Sequence, residues 1–244
     1  MHIAYPFLLQ NQLTMKITYF ALIFLVTNSI LGQTIAGSVM NDIQSLQKGG
    51  MWIRNLGVED PIEGNPYLFE NWNNQARIYK DNKIYRIGYF NYNIAQERFE
   101  AKLSEDSVLV ISIGGVNKIE LNDVVLKPHY DVEFNKFSFF EELDRINDCI
   151  ILKKYLIKIA QGSFNPMTKT RITSDKYVHE EHLYLLKDYK KPLERLKLKK
   201  SAILGLMDSQ QKNKVTDFVK KHKLRYSKLP DVQRIFKFYN SLSS

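Results

Sequence analysis

Cysteine is almost missing from this chain: Cys149 is the only one in 244 residues. That excludes an internal disulfide framework and any zinc cluster built wholly from thiolates. Glycine and proline are sparse at eleven and seven, which excludes collagen-like or Pro/Gly-rich low-complexity architecture. There is no phosphate-binding loop, since Gly114-Gly115 has neither the spacing nor the following Lys-Ser/Thr. No serine or cysteine sits in a nucleophile-elbow context. What the chain does hold is globular in balance, 44% hydrophobic and 25% charged. Its fourteen Phe and fourteen Tyr favour strands.

The apolar stretch Ile17–Val26 follows Met15-Lys16 and precedes Thr27-Asn28-Ser29-Ile30-Leu31-Gly32-Gln33. One positive charge, a short apolar run and a small residue after it make a signal peptide with cleavage near Gly32/Gln33. Ten residues fall short of the about 20 a transmembrane helix needs. An uncleaved anchor and a buried helix are the alternatives, and no cysteine follows for a lipid anchor. Residues 1–14 read as an upstream extension, with Met15 as the working start. Cleavage leaves a chain of 212 residues with net charge +8, for which no stable transmembrane span is expected.

The organisation predicted is α+β: a curled antiparallel β-sheet or partly closed barrel, followed by a C-terminal segment of two to three short helices. Its parts are the extension and signal peptide 1–32, an irregular lead-in 33–74, a β domain 75–188 and a basic helical tail 189–244 docked on the sheet. A short helix is expected around 38–47. Ala76–Lys80 and Lys83–Ile94 flank a two-residue Asp81-Asn82 turn. Arg98–Leu103 alternates, so one face is buried and the other solvated. Further strands are expected at Val108–Ile113, Lys118–Leu121, Phe137–Phe139, Ile150–Ile159 and His182–Leu186. Phe99, Leu103, Val110, Ile151 and Ile157 are the expected core. Helices are expected over Lys199–Met207, over Ser209–His222 with Ser209 as N-cap, and from Pro230. Val232, Ile235, Phe236, Tyr239 and Leu242 form the stripe of the last helix.

Motifs that carry chemistry are few. His179-Glu180-Glu181-His182 is one residue short of the His-Glu-x-x-His metal signature. It reads as a solvated turn or hairpin, and two strand residues three apart point to opposite faces. His129 reads as a loop histidine. Glu141, Glu142, Asp144 and Asp148 read as a solvated face rather than the carboxylate pair of a glycosidase. Cys149 reads as a buried, inert thiol in a strand. No catalytic, metal or cofactor residue is assigned.

Charge is unevenly placed. Residues 171–244 hold 18 Lys+Arg against 8 Asp+Glu, net +10. Lys190, Lys191, Lys197, Lys199, Lys200, Lys220 and Lys221 are the candidate contacts to an anionic surface. Such density also suits nucleic acid, but an exported chain without a nucleic-acid motif is not expected to meet any. A solvated face that keeps the protein soluble is the plainer reading of the same lysines.

Ile62-Glu63-Gly64-Asn65-Pro66-Tyr67-Leu68-Phe69, Trp72, Tyr89-Phe90-Asn91-Tyr92-Asn93-Ile94 and the ending Ile235-Phe236-Lys237-Phe238-Tyr239-Asn240-Ser241-Leu242 carry a resemblance. The chain resembles uncharacterised exported envelope proteins of Gram-negative bacteria, with a signal peptide, a strand-rich body and a short basic helical tail. The resemblance implies export to the periplasm or cell surface and transfers no functional residue. The expected function is a non-enzymatic binding or structural module whose partner is an anionic envelope component or an acidic protein. The alternative is a ligand carrier or hydrolase-like enzyme with a site in an aromatic-lined concavity of the sheet.

Overall fold

Asp81 and Asn82 both take positive φ, 49° and 60°, the geometry a two-residue hairpin turn requires. They join β2 (Gln75–Lys80) to β3 (Lys83–Gly88) in the predicted register. The run continuing to Ile94 does not remain one strand. Tyr89 sits at φ 53° and breaks it, so β4 (Phe90–Asn93) enters a different sheet. The protein is seen here in a computed structural model that describes residues 51–54, 62–104, 107–131 and 135–242. The signal peptide, its cleavage site and the helix expected at 38–47 lie outside the described residues, as does most of the lead-in.

Two antiparallel sheets form. β1 (Met51–Arg54), β6 (Ser107–Val110), β5 (Arg98–Ser104) and β4 make the smaller, in that spatial order. The larger has eight strands in the order β12-β11-β10-β9-β8-β7-β2-β3. Its remaining members are β7 (Val116–Leu121), β8 (Val124–Asp131), β9 (Lys136–Ile146), β10 (Cys149–Ala160), β11 (Lys176–Leu186) and β12 (Glu194–Leu196). Helices α1 (Lys200–Gly205), α2 (Lys212–Lys221) and α3 (Leu229–Leu242) follow. The α+β class and the antiparallel sheet are as predicted. A partly closed barrel is not: β12 and β3 end the large sheet without pairing to each other among the described residues.

Other expectations change with their surroundings. β1 falls inside the stretch expected to be an irregular lead-in, and β12 pairs with β11 beyond the expected end of the β domain at 188. The strand β8 runs through Lys127-Pro128-His129, which has the composition of a loop. Gln211, not Ser209, occupies the N-cap of α2, and its side chain makes no capping bond to the helix. On β5, alternation places Glu100 in water, but it is wholly buried. The 65–74 segment lies over β4 and its neighbour, with Leu68 N–H bonded to Tyr92 O at 2.9 Å and Asn91 Nδ2 to Phe69 O at 2.9 Å. Its Tyr67 hydroxyl donates to Glu100 Oε2 at 2.9 Å, while Arg98 Nε and Asn93 Nδ2 hold Oε1 at 2.5 and 3.1 Å. A buried carboxylate so fully bonded is tolerated.

The core follows from the pleat. Ile151 pairs with Leu185, and Leu183 with Leu196. That face of the large sheet receives the helices through Ile203, Met207, Val215, Val232, Ile235, Phe236 and Tyr239. The rings of Phe218 and Phe238 stack at 4.0 Å between α2 and α3. Toward the other end of the sheet, Phe99 meets Phe139 edge-on at 4.8 Å and joins the small sheet to β9. Of the predicted core, Phe99 and Ile151 are buried. Leu103 is 37% exposed near the end of β5, and Val110 and Ile157 are half-buried. Cys149, expected buried, is half-buried at the start of β10.

Candidate functional site

The β9–β10 pairing stops at Lys153–Glu141, whereas β10 stays paired with β11 as far as Ala160–Lys176. The sheet therefore splits, and a cavity of about 270 Å³ lies at the split. Glu97 (from the turn between β4 and β5), Asp131, Lys136, Lys154, Leu156, Tyr184 and Leu193 line it. Two ammonium groups and two carboxylates thus converge beside an apolar wall.

Lys154 is buried, with Nζ 3.3 Å from Ser138 Oγ and 3.6 Å from Glu97 Oε1. Lys136 Nζ pairs with Glu97 Oε2 at 3.0 Å. Burial pushes the Glu97 carboxyl up, but the Lys136 hydrogen bond and the two ammonium charges outweigh it and set its pKa below the ordinary value. Asp131 is buried beside them, directly paired with Lys136 across β8 and β9.

Ser138 and Lys154 look like a nucleophile and its base. Such a couple acts when the amine is free and the hydroxyl open to substrate. Here the amine is shared with a carboxylate, and Ser138 is 1% exposed. His129 faces Ser138 across the ladder, yet its Nε2 is directed to Glu142 Oε1 at 3.0 Å. No hydrogen bond joins His129 to Ser138 among the described residues. Burial lowers the His129 pKa, against the opposing pull of Glu142. The arrangement can hold a small charged ligand, but it does not activate a nucleophile.

A second cavity, about 260 Å³, is lined by Ile113, Gly114, Gly115, Val116, Pro128, Phe137 and Phe139. It comes nearest to the expected aromatic concavity. Among the described residues no polar side chain lines it to orient a ligand.

The residues singled out from sequence are largely dispersed. His179 and His182 lie in mid-strand on β11 rather than in a turn, and on opposite faces. His179 Nε2 meets Asn65 O at 2.7 Å, while His182 contacts Glu180 and Arg195. His129 belongs to β8 and is buried rather than looped out. Glu141 and Glu142 project from β9, not from a solvated helix or turn. The former bonds the Tyr155 hydroxyl at 2.5 Å, and the latter ties Lys127 to His129. Asp144 is half-buried, which raises its pKa. Among the described residues no group of three His, Cys, Asp or Glu is placed to hold a metal ion. No helix of the described residues is long and apolar enough to cross a membrane.

The seven lysines are all exposed, but they do not make one patch. Lys190 and Lys191 ride on the 187–193 connection, whose Leu193 packs on Phe140, Ile150, Leu152 and Leu186. Lys220 and Lys221 end α2, on the opposite face of the sheet. Lys197, Lys199 and Lys200 lie between, where the chain rounds the β12 edge. Lys190, Lys191, Lys197, Lys199 and Lys200 thus form a band around that edge, and Lys220 and Lys221 stand apart at the end of α2. Among them only Lys191 has an ion pair with a described residue, Asp188 at 3.9 Å.

No motif or spacing points to Glu97, Asp131 and Lys136. Lys154 is detectable: a lysine pair interrupting the apolar run Ile150–Ile159 signals a buried cation in need of partners. No protein family, curated protein or solved structure matches this chain.

Proposed function

We propose that the protein is an exported, non-catalytic module of the cell envelope, periplasmic or at the cell surface, that binds anionic surfaces through its basic C-terminal third. One observation carries this reading: six of the seven lysines are exposed and without an ion pair among the described residues, four of them (Lys190, Lys197, Lys199 and Lys200) around the β12 edge. Acidic residues neutralise neighbours elsewhere, as Glu142 does Lys127 at 2.5 Å and Glu120 does Lys118 at 2.6 Å. At the β12 edge Glu194 pairs with Lys187 and Asp188 with Lys191, which leaves Lys190, Lys197, Lys199 and Lys200 uncompensated among the described residues. Each basic residue near an anionic surface contributes about 1 kcal/mol, and the attraction fades over roughly 8 Å at physiological salt.

The test is co-sedimentation with anionic vesicles at low and high salt, with wild type beside a variant reversed to Glu at Lys190, Lys191, Lys199 and Lys200. Binding should be salt-sensitive and fall in the variant. Equal sedimentation of both, or none at low salt, leaves the band as a solubilising surface.

The split between β9 and β10 supports a second reading, a carrier for a small ligand. Paired ammonium and carboxylate groups around about 270 Å³ suit a zwitterion, whose two charges would replace the internal pairs. Calorimetry with amino acids, for wild type and Lys154→Met, decides it. Heat with wild type alone supports the carrier, and no heat with either removes it.

A further inference from the structure

Beyond its last pair with β9, β10 is paired with β11 only, and β11 in turn is bridged by Glu63 at Lys176. At roughly 3.3 Å per residue, the stretch Lys154–Ala160 carries this hairpin about 23 Å onward. Residues 161–175 then form an ordered tip. Gly162 N–H bonds Asp175 Oδ1 at 2.8 Å, Ile172 N–H bonds Ser163 O at 2.8 Å, and Asn165 N–H bonds Thr170 O at 2.9 Å. At the apex Asn165 Oδ1 accepts the Met167 and Thr168 amides at 2.9 and 3.2 Å. The far end of the shaft is held by the 62–65 segment, with Glu63 N–H on Asp175 O at 2.8 Å, Tyr177 N–H on Glu63 O at 2.9 Å and Lys176 paired to Glu63 at 3.0 Å, so the part that stands clear is the 161–175 tip.

This well-bonded arm exposes apolar groups where a soluble protein would place polar ones. Met167 is 92% exposed at the apex, with Ile172 and Phe164 beside it and Ile159 and Val178 at the shaft. Single exposed apolar residues are ordinary, but five on one projection are not. The charge around them is mainly basic: Lys176 and Arg171 are paired with Glu63 and Asp175, and Lys158 and Lys169 have no ion pair among the described residues. Residues 157–178 hold Lys158, Lys169, Arg171 and Lys176 against Asp175 alone. Asp175 is already engaged by Gly162 and Arg171.

We infer that the β10–β11 arm is a membrane-contacting wedge. Phe164, Met167 and Ile172 enter the headgroup and acyl boundary of an anionic bilayer, while Lys158 and Lys169 meet its phosphates. Apolar insertion combined with basic flanks is the pair of signals that makes interfacial binding stable. A rigid tip also loses little conformational freedom on insertion. The lysine band is a separate contact. Lys176 and Leu186 stand ten steps apart on β11, roughly 33 Å, and Lys190 and Lys191 lie past the Leu186 end.

The experiment uses the full mature chain carrying Met167→Trp, with its fluorescence taken as the difference from the unsubstituted protein. Vesicles rich in phosphatidylglycerol should shift the added emission to the blue, and brominated acyl chains should quench it. Phosphatidylcholine vesicles should do neither. The shift should persist when Lys190, Lys191, Lys199 and Lys200 are reversed to Glu. A Phe164→Ser, Met167→Ser, Ile172→Ser variant with unchanged melting temperature should lose about ten-fold or more in vesicle affinity with the tail reversed. Sedimentation with vesicles while the added indole emission stays unshifted would overturn the wedge and leave the lysine band standing. A shift in the tail-reversed protein, with no tail-dependent sedimentation, would uphold the wedge and remove the band. A shift given equally by phosphatidylcholine, or seen only with a second copy present and no lipid, would overturn the anionic bilayer as its target.

Discussion

At the scale of single residues, what lies above a strand decides as much as the strand's own pattern. Phe99 is wholly buried, stacked near Phe90 and Tyr92 and edge-on to Phe139. Leu103, four residues on, is 37% exposed. Phe99→Ala should cost about 3–5 kcal/mol by denaturant titration, and Leu103→Ala less than about 1 kcal/mol. Similar losses at both positions would show that the small sheet sits on the large one differently. Alternation assigns both residues the same status, because it records which face points inward and not where the covering sheet ends. Glu100 departs from its expected place for the complementary reason: the 65–74 segment covering it is irregular and has no period to read.

His129 gives a prediction with a definite sign. Burial lowers its pKa in the folded protein, so the unfolded chain binds the proton first as pH falls through about 6.5. Over that window the unfolded state holds more protons, and stability must decline as pH drops. The decline ends once pH passes below the folded pKa. Above about 6.5 the residue contributes no slope. Melting temperatures between pH 8 and 5 should therefore fall for wild type by an increment that His129→Gln lacks. An identical profile for the two proteins would remove His129 as the cause.

At the scale of elements, the hairpins are legible where their turns have a chemistry. Asp81-Asn82 fixes the β2–β3 register, and the stripe of α3 follows its predicted spacing as far as Tyr239. The β10 and β11 cores are readable from their apolar runs, but the extension of their hairpin is not. Residues 161–175 are polar and irregular in composition, so their ordered hydrogen bonding leaves no periodic trace. Gly162 is the position that makes the tip possible. A Cβ there would stand 1.9 Å from Thr173 O, a backbone atom that cannot step aside. Gly162→Ala should loosen the 161–175 tip while leaving the helices in place. Amide exchange should rise at Asn165, Lys169 and Ile172, with protection of Val219 and Ile235 unchanged. Unaltered exchange at the tip would mean that it tolerates the added methyl by shifting as a unit.

At the scale of the whole molecule, one eight-stranded sheet serves two covers. The helices pack where β10, β11 and β12 meet, and the small sheet joins near Phe139 on β9. The candidate cavity lies at the β9–β10 split between these regions. Sequence patterning could not announce the cavity, since its lining comes from six separate stretches. The described residues from 62 to 242 nonetheless fall within one compact unit, Gly49–Ser244, and β9 meets both covers, the small sheet at Phe139 and the helices at Ile146. Neither cover has a complete core without the sheet, so the two should unfold together. Phe236→Ala beneath the helices and Phe99→Ala beneath the small sheet should each move a single calorimetric transition downward, with calorimetric and van't Hoff enthalpies equal. Two resolved transitions, each sensitive to only one substitution, would mean that the split already divides the molecule into separately folding halves. Coupled halves would instead let occupancy of the cleft change the stability of both covers, because its lining includes Lys136 from β9 and Lys154 from β10.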